Sequence, residues 1–401
     1  MFIEILLAIA LGVLAGTFTG LIPGIHVNLL TAMLVSSSVY LTNYFSTFEL
    51  VIFILTMAIT HTFIGSILSI LFGAPDESQY LLALPGHKLV MKGKGLYAIY
   101  LTLVGSFTGL IFAIISIPLS IIGMMILAQT IRPYIGYILC VAILLLILFE
   151  PKHKRVAAFF FFSCAGLLGI FVFSLPNIQQ PLLPILSGLF GVSLLLESIK
   201  TTSQLPTQET YFSKPSFTST VYPSILSVIA GFFAAFLPGL GSSQSAIFAT
   251  KFLREQKPED FLLVVSGINT VGMCLSILTF YLFELSRNGA VVGVQELVGS
   301  VSRSEVIFIF CSLLIAASLS FVFAQKIARV FIYLIPKVSY VFLVYGIVLF
   351  IIFIVFFFDT FVGLLILATS TILGLSSARY GIAKHYLMGC LLIPTILFFL
   401  F

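Results

Sequence analysis

The stretch FLPGLGSSQSA, residues 236–246, interrupts one of the most apolar parts of the chain. It contains a proline, two glycines, three serines and a glutamine, in surroundings typical of membrane-spanning helix. A second stretch, GLIPGIHVN at residues 20–28, places the same Pro-Gly pair 215 positions earlier. Irregular backbone is tolerated at membrane depth only where protein or a water-filled cavity satisfies its polar groups. The two stretches therefore predict broken helices that serve a function.

The composition indicates that lipid is the main solvent of this chain. Hydrophobic residues make up 60% of the 401 residues and charged residues only 8%, whereas a water-soluble surface needs roughly 25–35% charged residues. Apolar runs of about 20 residues, each long enough to cross a bilayer as a helix, recur from end to end. The sequence therefore predicts an all-α, polytopic protein of the cell membrane.

Breaks in hydropathy predict fourteen apolar segments in two sets of seven. A first repeat at residues 1–200 and a second repeat at residues 225–401 flank a polar linker at residues 201–224. The segments of the first set lie near residues 3–22, 25–42, 48–72, 95–127, 133–149, 156–174 and 180–198. Those of the second set lie near residues 225–237, 243–254, 261–285, 304–325, 338–357, 360–374 and 382–400.

The two sets match in register. Pro23 stands 215 positions before Pro238, and the His-Thr pair at 61–62 stands 208 positions before the Asn-Thr pair at 269–270. An odd number of crossings per repeat inverts the second copy relative to the first, an arrangement common in secondary transporters. We therefore predict two inverted-topology repeats. Their Pro-Gly segments are predicted to form re-entrant hairpins that meet near the midplane of the bilayer.

The distribution of charge predicts the orientation in the membrane. With alternating crossings, sixteen of the 19 Lys and Arg residues fall on one face, and the other face receives only Arg132, Arg287 and Arg303. Basic residues accumulate on the cytoplasmic side of membrane proteins. Both termini are therefore expected outside the cell, and the linker at 201–224 is expected in the cytoplasm.

Each Pro-Gly pair is followed by a half-helix whose first N–H groups lack partners. Such a helix N-terminus carries a partial positive charge and suits an anion. The predicted substrate-binding residues are Pro23, Gly24, His26 and Asn28 in the first repeat, and Pro238, Gly239, Gly241, Ser242, Ser243, Gln244 and Ser245 in the second. The alternative is a purely structural role, because small residues also serve helix packing, and GVLAG at 12–16 and GTFTG at 16–20 match that pattern.

A further group of polar residues is predicted to serve coupling or gating. Its members are His61, Thr62, Asn269, Thr270, Asp76 and Glu77. An ionisable group within a membrane segment is a functional hypothesis by default, and the amide and hydroxyl oxygens suit a sodium ion. The alternatives are a neutral, hydrogen-bonded His61 and solvated turn charges at the two acids. No metal or other cofactor is expected, and coupling by Na⁺ or H⁺ stays open.

Three of these stretches resemble motifs of the large permease subunit of tripartite tricarboxylate transporters, the TctA-like family. GTFTGLIPGIH at 16–26 resembles the glycine-rich entry motif of that family, residues 61–111 resemble its longest signature, and GFFAAFLPGLGSSQSA at 231–246 resembles its second Pro-Gly motif. The sequence departs from the family after the first Pro-Gly pair, where Ile25, His26 and Val27 replace glycine and small residues.

The resemblance implies cation-coupled uptake of organic anions, together with a small membrane subunit and an extracytoplasmic binding protein. The leading prediction is a secondary active transporter of a di- or tricarboxylate-like substrate, with alternating access around the two hairpins. The alternative is a translocase for a polyprenyl phosphate, a lipid-linked phosphate whose headgroup suits the same helix N-termini.

Other classes of function lack the residues they need. A hydrolase that uses Ser242 or Ser243 with His26 would have no acidic residue to orient the histidine, so no enzyme is predicted. Basic stripes with interleaved aromatic residues are absent from the sequence, so no nucleic-acid partner is expected.

Overall fold

The computed structural model describes residues 2–22, 27–72, 80–131, 134–176, 178, 180–199, 206–237, 241–253, 257–286, 288–334 and 340–400. All regular structure in these ranges is helical, which confirms the predicted all-α class. The α-helices, numbered along the chain, are α1 (Phe2–Gly20), α2 (Val27–Ser36), α3 (Ser38–Leu41), α4 (Thr47–Phe72), α5 (Tyr80–Val90), α6 (Gly95–Ile115), α7 (Ile117–Ile131), α8 (Ile135–Phe149), α9 (Arg155–Ser174), α10 (Leu182–Leu186), α11 (Ser193–Ser198), α12 (Phe217–Phe236), α13 (Ser242–Thr250), α14 (Pro258–Phe283), α15 (Gly289–Val298), α16 (Arg303–Leu334), α17 (Tyr340–Arg379) and α18 (Gly389–Leu400).

Eight of the described helices are long and apolar enough to cross a bilayer, which confirms the multi-pass prediction. They are α1, α4, α6, α9, α12, α14, α16 and α17. In contrast, α2 and α13, which follow the two Pro-Gly pairs, have only 10 and 9 residues. At 1.5 Å per residue these two helices cover about half of a hydrocarbon core of about 30 Å. That length suits the returning arm of a hairpin.

The described chain forms two compact units. The first unit contains α1 to α6, most of α7, and α12 to α16; the second contains α8 to α11, α17 and α18. Each unit therefore draws helices from both predicted repeats. The predicted repeats at residues 1–200 and 225–401 describe an internal duplication of the sequence, whereas the two units describe which helices pack together. The duplication stays a prediction.

In the first unit, α1 packs along α4 through a row of glycines. A Cβ atom at Gly16 would lie 2.6 Å from Thr60 Cβ, and one at Gly20 would lie 2.8 Å from Ile64 Cβ. Only glycine permits this approach, so the small-residue pattern does serve close packing here. Because the contact partners advance together along both helices, α1 and α4 run parallel.

The helix α12 lies along α14 in the same manner. The Ser227 hydroxyl donates to the Val264 carbonyl over 3.1 Å, and a Cβ atom at Gly231 would lie 3.2 Å from the Gly272 nitrogen. The contact partners again advance together, so α12 and α14 run parallel. Both α4 and α14 are almost entirely buried, and they form the centre of the first unit.

The directions of α4 and α14 follow from their contacts with α6. A Cβ atom at Gly95 would lie 3.2 Å from Leu71 Cδ2, whereas Thr102 seven residues later donates to Ser66 over 3.1 Å. The helix α6 is therefore antiparallel to α4. Along α14, a Cβ atom at Gly105 would lie 2.8 Å from Leu263 Cα, and one at Gly109 would lie 3.0 Å from Gly267 Cα. The helix α6 is therefore parallel to α14. It follows that α4 and α14 run in opposite directions.

The chain returns beside α12 after the second Pro-Gly pair. The Tyr222 hydroxyl, near the start of α12, donates over 2.7 Å to the carbonyl of Phe252, just after α13. Beside α1, a cavity of about 540 Å³ is lined by Leu7 of that helix, by Leu41 of α3 and by Tyr44. The helices α12 and α13 therefore form a helical hairpin, whereas α2 packs mainly against α15.

The described part of the predicted linker lies against the turn between α5 and α6. The Gln208 side chain accepts from the Gly95 N–H over 2.9 Å and donates to the Val90 carbonyl over 3.0 Å. The ring of Phe212 packs against that of Tyr100, with the ring centroids 5.1 Å apart and the planes tilted by 49°. Residues 217–224, which the sequence assigned to the linker, already belong to α12, because Pro223 is accommodated inside that helix.

In the second unit, α17 folds back on itself at Thr360, whose φ is +54°. A Cβ atom at Gly363 would lie 3.1 Å from Val355 Cγ1, whereas residues eight positions apart in a straight helix are separated by about 12 Å. The chain therefore turns sharply, which agrees with the two separate segments predicted at 338–357 and 360–374. Asp359 ends the first arm, and its Oδ1 accepts from the Gln180 N–H over 2.9 Å.

Candidate functional site

The N-terminus of α13 is the described part of the predicted substrate site. The N-cap is Gly241, whose backbone is extended (φ −72°, ψ 171°). Because glycine has no side chain, no side-chain group caps this end of the helix. The first bond of the helix runs from the Ser245 N–H to the Gly241 carbonyl over 3.2 Å. The N–H groups of residues 242–244 therefore have no acceptor within the helix. They give this end of α13 the partial positive charge of a helix N-terminus.

The side chains that follow Gly241 are polar and buried. Ser243, Gln244 and Ser245 are only 3%, 1% and 3% exposed. Neither Gln244 Nε2 nor Gln244 Oε1 has a hydrogen-bond partner within the described residues, and the same is true of Ser245 Oγ. Burying a polar group without a partner costs about 1–3 kcal/mol. This segment is therefore a candidate ligand site, and its role in binding a substrate stays a prediction.

The helix α14 forms one wall of this site. A Cβ atom at Gly272 would lie 3.5 Å from Ser242 Oγ, so the absence of a side chain there brings the start of α13 close to α14. Asn269 and Thr270 are buried on the preceding turn. Asn269 lies three residues before Gly272, on the same side of the helix, whereas the Thr270 hydroxyl donates to the Ser266 carbonyl over 3.3 Å.

Several predicted site residues lie outside the described residues. They are Pro23, Gly24 and His26 of the first hairpin, Pro238 and Gly239 of the second, and Asp76 and Glu77. The backbone of Asn28 belongs to the first turn of α2. The predicted meeting of the two hairpins therefore stays a prediction.

His61 and Thr62 lie on α4, where both take part in local hydrogen bonds. His61 is buried, and its Nδ1 is 3.1 Å from the hydroxyl of Thr19 on α1. The Thr62 hydroxyl donates to the Ile59 carbonyl over 2.7 Å. The contact with Thr19 gives His61 a role in joining α1 to α4, as the structural alternative proposed. A role in coupling stays a prediction.

The sequence analysis missed a buried polar cluster in the second unit. Lys384 is 8% exposed, and its Nζ donates to the Ser193 hydroxyl over 2.6 Å and lies 3.7 Å from Glu197 Oε2. Hydropathy placed Lys384 and Glu197 at segment ends, where solvation is the usual outcome, and no feature of the sequence indicated the burial of Lys384. Among the described residues, no group of three or more His, Cys, Asp or Glu side chains is arranged to hold a metal ion.

The chain is similar to known proteins over almost its whole length. The family described as "Tripartite tricarboxylate transporter TctA family" matches residues 6–389. An uncharacterized protein of Methanocaldococcus jannaschii is 30% identical, over 98% of this chain and 99% of its own length. No solved structure matches the chain.

Proposed function

The chain belongs to the TctA family of tripartite tricarboxylate transporters, and from that premise we propose that it binds and moves a small anionic organic solute. The solute is a di- or tricarboxylate, and the transport is secondary and active. In this proposal the chain works with the small membrane subunit and the extracytoplasmic binding protein implied by a tripartite system. Its transport is coupled to Na⁺ or H⁺.

The observation that carries the proposal is the polar first turn of α13. Uncapped backbone N–H groups and the buried side chains of Ser243, Gln244 and Ser245 lie together at one helix end. A carboxylate accepts hydrogen bonds from such donors and is favoured by the helix dipole. No cationic side chain belongs to the segment 241–250. The proposed anion is therefore held by neutral donors, which allows its release after each crossing.

The directions of the helices support alternating access. The helix α1 lies along the buried helix α4, and α12 lies along the buried helix α14. The two buried helices run in opposite directions. Inverted repeats require that relation, and transporters of this kind bind substrate near the midplane at broken helices. We propose that the hairpins rock around one site, with both chain termini outside the cell and the linker in the cytoplasm.

The proposal is tested by binding and by uptake with the full chain. Binding of citrate to the purified protein is measured by calorimetry, and uptake of radiolabelled citrate is measured in proteoliposomes under inward Na⁺ or H⁺ gradients. Binding is decisive because it needs no partner subunit. Gly241→Leu places a bulky side chain before the free N–H groups and is expected to weaken binding by at least about tenfold, as the loss of a hydrogen bond to a charged group does.

The controls separate this site from general damage and from the alternative cargo. Thr250→Ala, at the opposite end of α13, removes a hydroxyl that donates to the Ile247 carbonyl of its own helix and should leave binding unchanged. Flipping of a polyprenyl phosphate in the same vesicles, without citrate binding, would replace the proposal by a lipid-phosphate translocase. Equal binding by wild type and Gly241→Leu would remove α13 from the site.

A further inference from the structure

The Gln244 side chain is unusual because both ends of its amide are unsatisfied. Nε2 carries two donor hydrogens and Oε1 is an acceptor, and neither atom has a partner among the described residues. This conclusion does not depend on which end of the amide is nitrogen, since the two positions are equally unpartnered. A ligand that satisfies Gln244 must therefore both accept and donate a hydrogen bond.

An ionised carboxylate meets only half of that requirement. Its oxygens accept from Nε2 and from the free N–H groups of α13, but they offer no hydrogen to Oε1. Ser245 does not supply the missing donor, because consecutive residues of a helix point in different directions and its Oγ makes no bond to Gln244. Two acceptors, Oε1 and a carboxylate oxygen, would then face each other without a hydrogen between them.

Resting on the proposed function, we infer that the cargo carries a hydroxyl group beside its anionic oxygens and that Gln244 is the residue that selects it. The helix N-terminus draws the carboxylate to the start of α13, and the neighbouring hydroxyl donates to Oε1 while Nε2 donates to the cargo. Selection by Gln244 depends on the hydroxyl group of the cargo rather than on its number of carboxylates. The class of cargo is a small hydroxy acid.

Closure of the site enforces the selection. The Gln244 amide atoms are sealed from solvent in this conformation, so the surrounding packing must open to admit a cargo and close again around it. Closing on a cargo without a hydroxyl seals Oε1 away from both water and any donor. Sites built to bond a hydroxyl group reject analogues that lack it for this reason. The expected discrimination is roughly 5- to 140-fold in affinity.

The test compares acids of equal charge that differ by one hydroxyl group. Malate is set against succinate, and citrate against tricarballylate, with affinities measured by calorimetry on the purified full chain. Wild type is expected to favour the hydroxy acid of each pair. Gln244→Met keeps the length of the side chain without its polar atoms, and it should bring the two affinities of each pair to within about twofold, while Thr250→Ala retains the wild-type ratio.

The outcomes distinguish this inference from the proposed function. Equal affinities within each pair for wild type would overturn the inference and leave an anion site intact, and this measurement needs no variant to fold. A wild-type preference that persists in folded Gln244→Met would assign the selection to another residue and overturn the role of Gln244. Failure of all four acids to bind would overturn both the proposed function and the inference.

Discussion

The start of α13 and the surroundings of Lys384 bury polar groups in opposite ways. Lys384 has the Ser193 hydroxyl at 2.6 Å and the Glu197 carboxylate at 3.7 Å. Gln244 is more deeply buried and has neither a donor nor an acceptor among the described residues. A buried group that has its partners within the protein contributes to the fold. A buried group without partners weakens the fold and suits a ligand.

The largest effect is expected from breaking the paired region. Ser193→Ala removes the hydroxyl that accepts from Lys384 and leaves a buried ammonium group with one hydrogen bond fewer. Hydrogen bonds to charged groups contribute about 1.5–3 kcal/mol, so the free energy of unfolding should fall by about 2 kcal/mol. Because the chain contains no tryptophan, unfolding is followed by circular dichroism at 222 nm in detergent.

A matched control for this variant is Ser174→Ala. Its hydroxyl is exposed and donates to the Phe171 carbonyl of its own helix, so its loss should change stability by less than about 0.5 kcal/mol. An equally small effect for Ser193→Ala would mean that the Lys384 cluster contributes little to the fold. The claim that a buried polar group with partners stabilises the fold would then be unsupported.

The fold was largely predictable because its signals are local. Run length and composition are sufficient for an all-α membrane protein, and the single acid at Asp359 marked the break between two apolar segments that α17 makes at Thr360. The glycine pattern at 12–20 indicated close packing, but the identity of its partner, α4, depends on contacts between distant residues. The assembly of both predicted repeats into each compact unit depends on such contacts as well.

The start of α13 was predictable from the sequence, whereas its role as a substrate site stays a prediction. Pro-Gly pairs followed by polar residues indicated the start of α13, because helix N-termini have the same chemistry in any fold. The missing partners of Gln244, the pairing of His61 with Thr19 and the burial of Lys384 follow from packing, which hydropathy does not record. Sequence patterns therefore located the candidate residues without separating structural groups from ligand-binding ones.

A smaller effect is expected at His61, which the sequence analysis considered for coupling. Thr19→Val keeps the shape of the side chain and removes the hydroxyl that lies 3.1 Å from His61 Nδ1. A typical hydrogen bond contributes about 1 kcal/mol, so stability should fall by about that amount. Thr17→Val is the control, because the Thr17 hydroxyl donates to the Val13 carbonyl of its own helix. A loss in Thr19→Val no larger than that in Thr17→Val would remove the structural role of this contact.

The smallest effect on stability, and the sharpest contrast, is expected at the start of α13. Gln244→Met and Ser245→Ala remove buried polar atoms that have no partner, and replacing such atoms by apolar ones of similar shape is neutral or stabilising. The free energy of unfolding should therefore stay within about 0.5 kcal/mol of wild type or rise by up to about 1 kcal/mol, measured without cargo by the same loss of helical signal. The sign of the change in the free energy of unfolding is informative. A fall of about 2 kcal/mol, as expected for Ser193→Ala, would mean that these side chains have partners in the folded protein. A site arranged for a ligand gains or keeps stability when its polar groups are removed and loses only its binding. Citrate affinity should therefore fall in the same two variants that keep or gain stability.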